Sequence, residues 1–184
     1  MRRPPLVALA VLALAILAAR QVPFAGPPPA DRGGPVAAGP ADVVEVLDGD
    51  TLVVRMAGYE GPVRVVGIDT PEIAHGDEPA ACHGPQTAAA VRAWLGGRRV
   101  LVRPAREQRD RYGRLLASVE GVDGPLAGRD LARALALSGL ARPLPIAPNL
   151  DDAPAIAERA ARARLLRRGL WGACGEARAF PGRG

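Results

Sequence analysis

The chain has 184 residues, enough for one domain of ordinary size, and with its first forty set aside about 140 remain to bury a core. Its formal charge of +5 rests on 24 arginines, with no lysine, against 19 acids; Arg2, Arg3 and Arg20 flank an apolar N-terminal run, which leaves 21 against 19 in the remainder. A body so close to neutral, with separate clusters of each sign, excludes a protein that wraps nucleic acid by bulk charge and suits an enzyme.

Arg2 and Arg3 form a basic n-region ahead of the unbroken apolar run Leu6–Ala19, which Arg20 closes. That run of 14 residues is short for a spanning helix and right for a secretory h-region. Residues 1–20 are therefore expected to direct export, as a cleaved signal peptide or as an uncleaved membrane anchor. Leu17-Ala18-Ala19 sets a large residue at the −3 position, which keeps both readings open. Residues 21–41, rich in Pro, Gly and Ala and without periodicity, read as a linker. The folded domain is expected over 42–172 and a disordered tail over 173–184. An even pair of cysteines, Cys82 and Cys174, invites a disulfide in an oxidising compartment. It would close a loop of roughly 90 residues and stabilise the fold by about 4 kcal/mol. The alternative is two free thiols.

Within the domain, β-branched runs broken by Asp-Gly and Gly-rich turns predict strands over Val43–Leu47, Thr51–Met56 and Val63–Ile68, joined as an antiparallel meander. A polar loop over 73–83 leads to Gly84-Pro85, which opens a helix through Leu95 with Ala88, Val91, Trp94 and Leu95 on one face; Gly96-Gly97 ends it. Strands follow at Val100–Arg103 and Leu115–Val119, linked by the charged segment Ala105–Arg114. A second helix runs from the N-cap Asp130 to Ser138, with Gly139 as its C-cap. Pro143–Pro148 excludes helix. A third helix spans about Asp152 to Arg168, with Ile156, Ala160, Ala163 and Leu166 as its buried face. Trp171 is expected to pack back on the body. Five short strands with helices after the third and fifth predict an α+β fold, mainly β: a five-stranded OB-type barrel with three helices.

The acidic turns Asp48-Gly49-Asp50-Thr51 and Asp69-Thr70-Pro71-Glu72 fall at predicted strand ends, where a rigid sheet can aim carboxylates at one point. Carboxylate oxygens suit a hard divalent cation, and an arginine on the intervening strand, Arg64, suits a phosphate. Asp50 and Asp69 are the candidate metal ligands, and Asp48 is read as shaping its turn or standing outside the ligand set. Arg114 follows Tyr112-Gly113, a turn able to point it back at the barrel mouth. Two guanidiniums and a divalent ion match the charge that grows on the non-bridging oxygens of a phosphodiester under attack. Glu72, three residues after Asp69, stands where it could orient or deprotonate the attacking water. His75, Cys82 and His83 lack zinc-ligand spacing. Arg159, Arg162, Arg164, Arg167 and Arg168 read as a solvated helix face.

The order Asp-Gly-Asp-Thr, Arg, Asp-Thr-Pro-Glu, a Gly-Pro-initiated helix, Asp-x-Tyr-Gly-Arg and Gly-Leu-Trp, spread over Val43–Trp171, resembles the staphylococcal nuclease family. The resemblance implies one Ca²⁺ held by the side chains of Asp50 and Asp69 and the backbone carbonyl of Thr70. It makes Arg64 and Arg114 the phosphate clamps, Glu72 the third catalytic residue and Tyr112 a substrate contact. It further implies an exported nuclease, acting as a monomer on DNA and RNA with little sequence preference, and touching a membrane only if residues 1–20 stay attached. The alternative is the same barrel kept as a non-catalytic module that binds nucleic acid or protein. One departure stands out. The loop Arg142–Asn149 carries no aromatic where the family's well-known member stacks a tyrosine pair on its substrate. Stacking contributes roughly 1–3 kcal/mol per base, so weaker substrate binding is expected.

Overall fold

The computed structural model describes residues 34–174 and 176–181. The N-terminal apolar run, and with it the choice between signal peptide and anchor, lies outside the described residues. Among the described residues no helix is long and apolar enough to cross a membrane.

Five strands close into a barrel: β1 (Gly39–Val46), β2 (Thr51–Met56), β3 (Tyr59–Val65), β5 (Arg99–Arg109) and β6 (Leu115–Gly121), in the order β1-β2-β3-β6-β5. Neighbours are antiparallel except β3 and β6, which run parallel and complete the closure. The β-branched runs fill the interior: Val43, Leu52, Val54, Val63, Val65, Val100, Val102, Leu115, Ala117 and Val119 are all buried. Two strands stand apart, β4 (Gly67–Asp69) and β7 (Arg142–Leu144), paired antiparallel. The main helices are α1 (Gly84–Leu95), α2 (Leu131–Ser138) and α3 (Ala153–Leu165), followed by the single turns α4 (Leu170–Ala173) and α5 (Glu176–Ala179). Helix α1 buries Ala88, Val91 and Leu95 as its spacing predicts, with Trp94 half-buried beside them. The Asp130 side chain accepts from the Arg133 backbone N–H at 2.9 Å, capping α2, and Gly139 ends that helix in the left-handed conformation. The expected α+β barrel with three helices is the observed fold.

Several boundaries depart from the expectation: pairing extends β3 back to Tyr59, where a turn was expected, and β6 on to Gly121. Strand β1 starts at Gly39, inside the Pro/Gly/Ala-rich stretch, because Gly39 and Pro40 pair with Val102 and Leu101 of β5. Upstream of it Val36 is buried, its N–H and carbonyl both held by the Gln108 side chain at 2.8 and 3.2 Å. The predicted third strand, Val63–Ile68, is two: a turn at Val66 releases β4 from the barrel so that it can meet β7. The first half of the charged link Ala105–Arg114 is strand, since β5 runs on to Arg109, which pairs with Leu115. Helix α3 stops at Leu165, so Leu166 is half-exposed rather than on the buried face.

The tail is the largest correction. Glu176–Ala179 is a helical turn, and Ala179 and Phe180 are buried against Leu170, with Trp171 and Cys174 packed beside them. A disulfide joins Cys82 to Cys174, their Cα atoms 6.1 Å apart, and ties this segment to the loop before α1. The two cysteines are 92 residues apart, and closing so long a loop stabilises a fold by about 4–5 kcal/mol in the chain-entropy view. Reduction is therefore expected to lower the urea midpoint markedly. Denaturation with and without dithiothreitol checks it; coincident curves would contradict the estimate.

Candidate active site

The site is built where β2, β3 and β4 end. In the turn before β2, Asp48 Oδ1 accepts the Asp50 backbone N–H at 2.8 Å, so Asp48 shapes the turn and Asp50 is left to point inward. Asp50 Oδ2 accepts the Thr70 backbone N–H at 2.9 Å, which fastens the first acidic turn to the second. Asp50, Asp69 and Thr70 are all buried. Strand register then sets Arg64: it lies opposite Thr51 on β3, between Val63 and Val65, whose side chains fill the barrel, so its own side chain leaves on the other face.

There Arg64 is not a solvated surface residue. Its guanidinium lies 3.1 Å from Asp50 and 3.8 Å from Asp69, and it donates to the carbonyls of Val65 and Ile68 at 2.6 and 2.9 Å. Even so, burial lifts the Asp50 carboxyl from its ordinary 3.8 to about 7 against the pull of Arg64; Asp48 and Asp69 add to the rise and the Thr70 amide opposes it. Burial thus favours the neutral form of Asp50 more than Arg64 favours the charged one.

Arg114 reaches the same cavity through the turn Asp110–Gly113. Asp110 Oδ1 accepts the backbone N–H groups of Tyr112 and Arg114, each at 2.9 Å, and Gly113 at φ 80° supplies the left-handed step that turns the chain back. Asp110 Oδ2 then holds the Arg114 guanidinium at 2.7 Å. Tyr112 is exposed, with Arg111 and Arg114 each near its ring, at 4.7 and 5.4 Å. Glu72 is partly exposed at the rim, with His75 Nε2 at 3.9 Å.

Six of the predicted site residues, Asp50, Arg64, Asp69, Glu72, Tyr112 and Arg114, line one open cavity of about 1080 Å³. The seventh, Thr70, lines an adjoining cavity of about 690 Å³ that shares Glu72, Tyr112 and Arg114 with the first. Cys82 and Cys174 line neither; they act through the disulfide. Two residues of the site were missed. Arg142 contacts Asp69 Oδ2 through both Nε and Nη2 at 3.0 Å, because the two residues face each other across the β4–β7 pair. His75 was dismissed as a zinc ligand and set aside, yet it stands beside Glu72. A cross-strand register between Gly-Ile-Asp and Arg-Pro-Leu would have exposed the first; nothing in the sequence signals the second. The loop after β7 borders the cavity with Leu144, Ile146 and Asn149, none of them aromatic.

A barrel mouth that gathers two buried acids, two guanidiniums and a rim acid around one cavity is the layout of a phosphodiesterase. The staphylococcal nuclease homologue family matches residues 62–173. Over 130 residues the chain is 30% identical to the thermonuclease of Staphylococcus hyicus, spanning 70% of this chain and 73% of that protein. Over 96 residues it is 36% identical to the thermonuclease of Staphylococcus intermedius, spanning 50% and 57%. An uncharacterized endonuclease of Escherichia coli is 31% identical over 129 residues, spanning 70% and 74%. The chain belongs to the staphylococcal nuclease family of phosphodiesterases.

Proposed function

We propose that this protein is an exported, calcium-dependent nuclease that hydrolyses phosphodiester bonds of DNA and RNA with little sequence preference, working as a monomer. The observation that carries the reading is the convergence of Asp50, Arg64, Asp69, Glu72 and Arg114 on one cavity. Export is supported by the basic-then-apolar N-terminus and by the disulfide.

The residues fit a calcium ion. Among the described residues no group of three or more His, Cys, Asp or Glu side chains is poised for a metal, so a site that needs many side-chain ligands is ill served. Calcium completes an irregular oxygen shell with carbonyls and water, and the buried acids Asp50 and Asp69 supply the negative charge it needs. Asp50 and Asp69 would hold the ion, with the Thr70 carbonyl beside them. Bound there, a divalent cation offsets charge on the phosphoryl oxygens and polarises the phosphorus toward attack.

The chain's own groups do the rest. Arg64, fixed by two carboxylates and two carbonyls, presents a preorganised donor face to a non-bridging oxygen. Arg114, held in place by Asp110, takes a second oxygen as charge grows. Glu72 accepts a proton from the attacking water; a P–O bond forms as the bond to the leaving sugar oxygen breaks, giving a phosphomonoester and an alcohol. Tyr112 offers its ring and hydroxyl to the substrate at the rim. With no aromatic pair in the loop after β7, most of the hold on substrate falls to these phosphate contacts.

The test is degradation of plasmid DNA and of single-stranded RNA, with calcium and with EGTA, beside Glu72→Gln. Cleavage in calcium, its loss in EGTA and a fall of about 10²-fold or more in Glu72→Gln are expected. Equal rates in all arms would remove the mechanism and leave a binding module.

A further inference from the structure

Phe180 lies beyond the span matched to the family, in the segment that the disulfide ties down. Its ring is buried, and the Arg142 guanidinium sits over it, 4.2 Å from the centroid. The same guanidinium holds Asp69 Oδ2 through Nε and Nη2. Arg142 is thus fixed on its face by an aromatic ring and on its edge by a carboxylate, with its side chain only 16% exposed. The segment is anchored on the body by the Cys82–Cys174 bond and by the Cys82 N–H, which donates to the Arg178 carbonyl at 3.2 Å. Ala179, Phe180 and Pro181 also wall the smaller cavity, the one that shares Glu72 and Arg114 with the catalytic one.

We propose that Phe180 is a positioning residue for the ion site: by stacking on Arg142 it holds that guanidinium against Asp69, and the disulfide keeps Phe180 in place. The inference rests on Asp69 being a calcium ligand. A guanidinium within about 6 Å of a ring face is attracted by the ring's negative quadrupole, more strongly when water is excluded, as it is here. An aliphatic side chain of similar bulk fills the space but offers no such face, so Arg142 is then free to turn to solvent and Asp69 changes its charge partner. Phe180 carries no ligand atom for an ion; its effect reaches the ion through Arg142.

Calorimetric calcium titration of the wild-type chain, Phe180→Leu, Phe180→Tyr, Arg142→Met and the Phe180→Leu/Arg142→Met pair tests this. The expected result is one calcium per chain in the wild type and a Kd moved in the same direction by Phe180→Leu and Arg142→Met, each by roughly three- to tenfold. The double variant moves no further than the larger single, and Phe180→Tyr, which keeps the ring face, stays at the wild-type Kd. Thermal melts accompany each titration, and Phe180→Met replaces the leucine variant if that one loses its unfolding transition. An unmoved Kd in Phe180→Leu, or single shifts that multiply in the double, overturns the role of Phe180 while leaving the ion site standing. A wild-type chain that binds no calcium overturns the ion site, and this inference with it.

Discussion

Arg64→Gln is expected to slow phosphodiester cleavage by roughly 10²–10³-fold, the loss that follows removal of one preorganised donor to a developing oxyanion. The same substitution is expected to destabilise the calcium-free fold by about 3–5 kcal/mol at a pH high enough for Asp50 to keep its charge, and by less at lower pH, where the buried carboxyl takes up a proton instead. Both effects come from one geometry. The guanidinium is wedged between Asp50 at 3.1 Å and Asp69 at 3.8 Å, and it also satisfies the carbonyls of Val65 and Ile68. Glutamine can reach one of those four acceptors and brings no charge, so Asp50 loses its nearest cation while Asp69 retains Arg142. Calcium should therefore restore more stability to the variant than it adds to the wild type, because it supplies the missing positive charge, while the rate stays low. Single-turnover cleavage, with urea unfolding in EGTA and in calcium, separates the two consequences. A rate within threefold of wild type would show that Arg64 organises the acids without contacting the phosphate.

Gly84→Ala should be nearly as damaging to turnover, about 10²-fold, though position 84 carries no chemistry. A β-carbon at Gly84 would lie 2.0 Å from the Glu72 carbonyl oxygen and 2.7 Å from its carbon, with the Pro71 carbonyl at 3.1 Å. All three are backbone atoms of the segment that carries Glu72, so no rotamer change relieves the contact. Either α1 or the Pro71–Glu72 backbone must move, and a displacement of about 1 Å in a catalytic group can cost 10²-fold in rate. Overpacking of this kind costs about 1–3 kcal/mol in stability, less than the fold is expected to lose in Arg64→Gln. Gly34→Ala is the control, since nothing lies within 4 Å of a β-carbon there. Turnover and thermal midpoint measured together decide the matter. A Gly84→Ala chain with normal turnover would mean that Glu72 need not be held where the structure puts it.

How much of this was readable in advance depends on whether a feature is local. The barrel strands were legible because β-branched runs break on Asp-Gly and Gly-rich turns, and the helices because Gly-Pro opens α1 while Asp130 and Gly139 bracket α2. The acidic turns were legible as well, since Asp48 bonds to a backbone two residues away and needs no distant partner. Features made by pairing across the chain were not. Arg142 meets Asp69 over 73 residues, through a two-stranded ladder that neither three-residue strand announces by itself. The outer half of β5 has no apolar rhythm; the ladder is interrupted there, and contacts to distant residues hold it, Gln108 to Val36, Arg106 to Asp151 and Glu107 to Asn149. Phe180 is the one large apolar side chain in a short tail of small, charged and Gly/Pro residues, a pattern that resembles disorder until the disulfide and the Arg142 guanidinium give the ring a place to pack.

The central claim is spatial: the acids of β2 and β4 hold one ion next to a phosphate gripped by Arg64 and Arg114. A crystal of the protein grown with calcium and a non-hydrolysable dinucleotide, with data collected at a wavelength where calcium scatters anomalously, tests it most directly. The account predicts a single anomalous peak about 2.3–2.6 Å from carboxylate oxygens of both Asp50 and Asp69, with phosphate oxygens in contact with Arg64 and Arg114. A peak on any other acids, or a phosphate bound away from those two arginines, would contradict it.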